Sequence, residues 1–170
     1  CAFCQNYNLS QSESRKSWPG SRISPAELVI QACNIPDNLG IAYTYNEPTV
    51  FYEYMLDTAV EIHAAGMKNV MVSNGFICQE PLEKLLLHLD AFNIDLKSFS
   101  NDFYRKYTSS SLDPVLKTII AIAGSNRHLE GNSFTNRRST DPINDFHRAR
   151  RRARTPAREP SRRRSDPAGR

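Results

Sequence analysis

No apolar run in the 170 residues is long enough to cross a bilayer, and no signal peptide opens the chain. A membrane partner is therefore not expected, and the default compartment is the cytoplasm, where thiols stay reduced. Cysteine is scarce. Of the four in the chain, Cys33 and Cys78 stand alone, one on an expected helix and one in a loop, and are read as unliganded thiols that behave as small buried hydrophobes. Acidic charge is scarce beyond residue 126: from 127 to 170 there are 13 Arg against 5 Asp or Glu, net +8, whereas residues 1–126 carry 9 Lys or Arg against 13 acidic residues, net −4. Apolar residues thin out over the same stretch. With ten prolines in the chain and a mean hydropathy below zero, part of the chain is not expected to fold.

What is present begins at the first residue, with Cys1-Ala2-Phe3-Cys4-Gln5-Asn6 and no initiator methionine. A Cys-x-x-Cys pair places two thiolates on one centre, and in a reducing compartment it reads as a metal or redox motif before a structural disulfide. An iron–sulfur cluster or a zinc ion needs three or four ligands, so the motif reads as one cut in half. A zinc site at Cys1 and Cys4 is a further option that would need two more ligands.

Helical and strand patterns then alternate as far as Gly124. Ser24-Pro25-Ala26-Glu27 is a capping box that opens a short helix through Leu28, Val29 and Ala32. Residues 40–45 read as a strand. Pro48 opens a helix with Phe51, Met55, Ala59 and Ile62 on one side and Glu53, Asp57 and Glu61 on the other, closed by Gly66. Residues 69–73 form a mostly apolar strand, as expected of one covered on both faces. Pro81 opens a helix with Leu82, Leu85, Leu86 and Leu89 as its buried stripe; residues 91–97 form the third strand and residues 112–123 the last helix. Repeated strand–helix units predict an α/β fold with a parallel sheet, either a barrel or an open sheet.

In both architectures the chemistry collects at the carboxyl ends of the strands. Those ends are polar here: Asn46-Glu47-Pro48, then Ser73-Asn74-Gly75, then Asn93, Asp95 and Lys97, which the two-residue period puts on the face opposite Phe92, Ile94 and Leu96. Charge inside a barrel is costly unless it meets a ligand, another charge or water. The plainer alternatives are an Asp95–Lys97 ion pair at a wet strand end and a Glu47 that only favours a helix N-terminus.

In order and spacing, the Cys motif, Tyr43-Thr44-Tyr45-Asn46-Glu47-Pro48-Thr49, Val72-Ser73-Asn74-Gly75 and Asn93-Ile94-Asp95-Leu96-Lys97 resemble a radical S-adenosylmethionine (radical SAM) enzyme. More narrowly they are similar to the branch named after the AmmeMemoRadiSam system, related to pyruvate formate-lyase activating enzymes. The resemblance covers residues 1–123 and implies a partial (βα) barrel, a [4Fe-4S] cluster and S-adenosylmethionine. It implies that Cys1 and Cys4 match the second and third ligands of a Cys-x3-Cys-x2-Cys loop, the first lying upstream of Cys1. Asn46 and Glu47 fall where relatives have a Gly-Gly-Glu-Pro turn that receives the methionine amino group, although Tyr45 and Asn46 replace both glycines. Ser73, Asn74, Asp95 and Lys97 match positions lining the methionine or ribose end of the cofactor. The implied activity is reductive cleavage of S-adenosylmethionine to a 5′-deoxyadenosyl radical, which abstracts hydrogen from an unknown substrate. An electron donor such as a flavodoxin or ferredoxin is implied as partner. Tyr7, Phe76 and Phe99 lie near the expected mouth, as substrate contacts or as packing residues.

From Gly124 the pattern departs from the relatives. Residues 124–170, with Arg150-Arg151-Arg152 and Arg162-Arg163-Arg164, are expected to be a disordered basic tail. It is read either as an out-of-frame translation, leaving an incomplete copy of the enzyme with a strand edge open after Asp95, or as a nucleic-acid-binding segment on a non-catalytic domain.

Overall fold

The computed structural model describes residues 1–10 and 22–133. Four strands, β1 (Gly40–Tyr43), β2 (Lys68–Ser73), β3 (Ala91–Leu96) and β4 (His128–Ser133), form one sheet in the order β1-β2-β3-β4, with every neighbouring pair parallel. The helices are α1 (Tyr7–Ser10), α2 (Pro25–Cys33), α3 (Tyr52–Ala64), α4 (Gln79–Leu86), α5 (Asn101–Phe103) and α6 (Leu112–Gly124). A 3-10 turn, Pro48–Phe51, leads into α3, and a π-helical turn, Tyr104–Thr108, follows α5. Parallel neighbours need a crossover, and α3, α4 and α6 lie in the three connections between the strands.

Local chemistry sets most of these boundaries. The Ser24 hydroxyl accepts the Glu27 N–H at 3.3 Å while the Ser24 N–H donates to the Glu27 carboxylate at 2.8 Å, so the expected capping box opens α2. Pro48 starts a 3-10 turn rather than the expected α-helix, which begins four residues later at Tyr52. Pro81 is the third residue of α4, still within the first turn where an amide N–H has no helical partner to lose. On α3, Met55, Ala59 and Ile62 are fully buried and Glu53, Asp57 and Glu61 are exposed, as the 3.6-residue period predicts.

The core lies between one face of the sheet and the packed helices α3, α4 and α6. Tyr43, Met71, Phe92, Ile94, Leu96 and Leu129 face Met55, Leu82, Leu85, Val115, Ile119 and Ile122 across it. Each such side chain, fully withdrawn from water, contributes about 1.5–3 kcal/mol. Burial on β2 alternates, with Asn69, Met71 and Ser73 buried and Val70 and Val72 half-buried, so β2 is not the evenly covered strand its composition predicted. Asn69 belongs to the core face because its amide is satisfied there: it donates to the carbonyls of Ala59 (2.9 Å) and His88 (3.1 Å) and accepts the Tyr43 hydroxyl at 2.9 Å.

The sequence pattern places the end of the folded unit at residue 123, but the ladder continues. Strand β4 pairs with β3 from Ala91↔His128 to Leu96↔Ser133. The edge expected to be open after Asp95 is therefore occupied, and among the described residues the outer strands of the sheet are β1 and β4. Leu129 is the one large apolar side chain in His-Leu-Glu-Gly-Asn-Ser, too little for a periodicity reading, and the strand exists through its hydrogen bonds to β3. Just before it, Arg127 donates to the carbonyls of Leu86 (3.0 Å) and Leu87 (3.3 Å), capping the end of α4. The arginine triplets lie outside the described residues.

Candidate functional site

The polar residues expected at the ends of β1 and β2 meet. The Glu47 carboxylate, four residues past β1, accepts the Ser73 hydroxyl at 2.8 Å, the Thr49 hydroxyl at 3.0 Å and the Thr49 N–H at 3.3 Å on one oxygen, and the Asn74 N–H at 2.8 Å on the other. The Ser73 hydroxyl oxygen in turn accepts the Gly75 N–H at 3.0 Å, and the Asn74 side-chain carbonyl accepts the Phe76 N–H at 2.8 Å. Glu47 thus caps the 3-10 turn, as the plainer reading held, and also ties the loop after β1 to the end of β2. Asn46 is exposed, its side chain outside this network, and the Tyr45–Asn46 peptide is cis.

At the end of β3 the Asp95 carboxylate and the Lys97 ammonium pair at 2.6 Å, with 33% and 21% of their side chains exposed. Asn93 and Asp95 are half-buried on the face opposite Phe92, Ile94 and Leu96, as the two-residue period required. The ammonium has three N–H donors and Asp95 takes one, so among the described residues two remain for another acceptor. The Lys97 N–H, beyond the ladder, donates to the Tyr104 hydroxyl at 3.1 Å. Tyr104 is 3% exposed, and burial pushes its phenol up to about 12, so it stays neutral and hydrogen-bonding at physiological pH.

The cysteine motif forms a tight loop in which the Cys4 N–H donates to the Cys1 carbonyl at 3.2 Å. Both thiols are free, Cys1 exposed and Cys4 half-buried, with Cys4 Sγ 3.5 Å from Ser10 Oγ. The loop is anchored to the turn after β3: the Ala2 N–H donates to the Tyr107 carbonyl at 2.8 Å, and the Phe3 and Phe103 ring centroids lie 5.9 Å apart. Cys33 and Cys78 are free but exposed, so neither is the buried hydrophobe expected; Cys33 ends α2 and Cys78 is the N-cap of α4.

The Radical SAM superfamily profile matches residues 1–133. This chain belongs to the radical SAM superfamily. The match ends with β4, at the last described residue. An uncharacterized protein of Methanocaldococcus jannaschii is 46% identical over 120 residues, which are 69% of this chain and 34% of that protein. The chain thus spans about a third of the length of that relative. Among solved structures, a domain of pyruvate-formate lyase-activating enzyme from Bacteroides vulgatus superposes with a TM-score of 0.50 at 17% identity, covering 55% of this chain and 58% of that one. That likeness shows the fold, in which the parallel sheet of this chain is part of a radical SAM domain.

Superfamily membership implies radical chemistry with S-adenosylmethionine and a [4Fe-4S] cluster in general terms. The donor chemistry here fits both. Cys1 and Cys4 are thiols of the type such a cluster takes, and two of its ligands could come from them; among the described residues no group of three or more His, Cys, Asp or Glu is arranged to hold a metal. A zinc site at these cysteines finds no further ligands within the same residues. For a zwitterionic cofactor, Lys97 offers spare donors, and Asp95 and the second Glu47 oxygen offer acceptors. Composition reading passed over Tyr104, Tyr107 and Phe103, although Phe-Tyr-Arg-Lys-Tyr, starting seven residues past the end of β3, is an unusual aromatic density. Of the aromatics placed near the mouth, Tyr7 and Phe76 are exposed and Phe99 packs against the core.

Proposed function

We propose that residues 1–133 are the cluster-binding and SAM-binding part of an enzyme that cleaves S-adenosylmethionine reductively and uses the radical to abstract hydrogen from a substrate. The observation that carries this reading is that the carboxyl ends of three neighbouring parallel strands carry a carboxylate network joining β1 to β2 (Glu47, Ser73, Asn74) and, on β3, a half-buried ion pair (Asp95, Lys97). Cys1 and Cys4 would hold two irons. The spare N–H bonds of Lys97 would take the methionine carboxylate. Glu47 and the backbone acceptors of Asn46 would take the amino group, and Ser73, Asn74 and Asp95 would line the methionine or ribose end. When bound and reduced by a donor such as a flavodoxin or ferredoxin, the cluster supplies the electron that breaks the carbon–sulfur bond. The chain's own task is to orient the cofactor and keep water from it. The Tyr-Asn-Glu-Pro turn supports the AmmeMemoRadiSam branch over the glycyl-radical activases, whose turn carries two glycines.

The test is spectroscopic. The chain in its natural sequence context, reconstituted anaerobically with iron and sulfide and then reduced, is expected to show a cluster EPR signal that changes when S-adenosylmethionine is added. Cys4→Ala is expected to lose the signal, and Lys97→Met to keep it while weakening its response to the cofactor. A well-folded, cluster-loaded chain whose spectrum ignores S-adenosylmethionine refutes the proposal.

A further inference from the structure

The turn after β3 lies outside the strand-end motifs, yet it touches both the end of β3 and the cysteine loop. Its N-terminal part is fixed from below. Tyr104 is in the core, its hydroxyl accepts the Lys97 N–H, and its carbonyl accepts the Thr108 hydroxyl at 2.6 Å, while Ser109 in the left-handed region (φ 54°) ends the turn. π-Helical turns hold one residue more than an α-turn and occur often at functional sites. The ring of Phe103, just before the turn, and the backbone carbonyl of Tyr107, within it, both reach the cysteine loop. Phe103 meets Tyr107 at a 44° tilt with centroids 4.9 Å apart and meets Phe3 at 5.9 Å, and the Lys106 ammonium lies 5.2 Å over the Tyr107 ring. The Tyr107 carbonyl takes the Ala2 N–H.

We propose that Phe103, Tyr104 and Tyr107 are positioning residues: their turn seats the Cys1–Cys4 loop on the end of β3, so the two thiols and the Asp95–Lys97 pair share one rigid frame. Tyr104 sets the frame from the strand side, through the Lys97 N–H, and Phe103 and Tyr107 set it from the loop side, through Phe3 and Ala2. Residues 4 and 97 are far apart in sequence, and this turn is the short physical path between them. The purpose of the seat rests on the proposed function, but its existence does not.

The experiment therefore uses neither metal nor cofactor. In the full metal-free chain, iodoacetamide alkylation is followed cysteine by cysteine by mass spectrometry, with exposed Cys33 and Cys78 as internal references for Cys4. Phe3→Ala and Phe103→Ala are each expected to raise the Cys4 rate roughly 2- to 10-fold over the references, the effect of losing one aromatic contact. The double variant is expected to go no further than the larger single, because both changes remove the same contact. Phe103→Tyr is expected to restore the parent ratio. Phe3 lies on the loop and outside the core, so Phe3→Ala decides the matter even where Phe103→Ala opens the domain: an unchanged Cys4 ratio, or an equal acceleration of all three cysteines in that variant, overturns the seat. Failure of the EPR test with the Cys4 result as expected would sink the proposed function and leave the seat standing.

Discussion

Glu47→Gln takes one acceptor oxygen from a carboxylate that four donor groups share. If the amide oxygen keeps Ser73 and Thr49, the new NH2 group faces the Asn74 N–H, which now sits 2.8 Å from the second oxygen. Two donors then oppose each other. Hydrogen bonds to a charged group contribute about 1.5–3 kcal/mol against about 0.5–1.5 for neutral pairs, and an unsatisfied donor costs about 1–3 kcal/mol. Asn74 is exposed and its N–H can turn toward water, whereas Ser73 is 3% exposed and cannot. The lower half of the sum applies, about 2–4 kcal/mol. That is a large share of a stability on the order of 5–15 kcal/mol. Urea unfolding followed by circular dichroism should show a midpoint lowered by about 1–2 M at an unchanged slope. Ser73→Ala in the same assay should couple with Glu47→Gln by about 1 kcal/mol in a double-mutant cycle. A loss under about 0.5 kcal/mol would refute the reasoning, because the carboxylate would then not be what holds the ends of β1 and β2 together.

Acid should weaken the fold in two stages. Burial, and then the charges of His63 and Arg127, hold His88 below the ordinary histidine value of 6.5, so its contribution is full above that pH and is lost as pH falls through the lowered value. Burial raises Asp90, but hydrogen bonds from Lys68 and the Asn69 N–H, with the charges of Lys68 and Arg127, outweigh it and hold the carboxyl below 3.8, which adds a second loss below about pH 4. His88→Gln should flatten the first stage and Asp90→Asn the second; equal urea midpoints for the parent chain at about pH 7.5 and about pH 5.5 would contradict the assignment. Gly75→Ala should be costly, because Gly75 has φ +75° and a Cβ there would lie 2.8 Å from Ile94 Cγ2 and 3.2 Å from Val115 Cγ1, both immobile in the core. Strain and overpacking together cost about 2–4 kcal/mol, so the melting temperature should fall by at least about 8 °C. A fall under about 2 °C would mean that the turn re-forms around the methyl group.

Features that depend on a few consecutive residues were legible without coordinates. Ser24 and Glu27 are three apart and cap α2 through bonds that any chain with those residues can form. The outward Glu53, Asp57 and Glu61 and the inward Met55, Ala59 and Ile62 follow from helical geometry alone. Strand-end motifs were legible for the same reason, and the superfamily match over residues 1–133 accords with them. Strand β4 was not legible, since its burial rests on Leu129 and its hydrogen bonds belong to β3. The exposure of Cys33 and Cys78 was not legible either, because it depends on which sides of α2 and α4 their neighbours cover.

By itself, then, the order of residues determined the strand–helix alternation, the capping chemistry and which polar side chains stand at strand ends, all set by period and nearest-neighbour hydrogen bonding. Tertiary structure decided which of them meet. The bonds from Glu47 to Ser73 and Asn74 close across 26 and 27 residues, and the bond from Ala2 to Tyr107 closes across 105. Such contacts form only where packing offsets the entropic cost of closing the loop, so no local pattern encodes them.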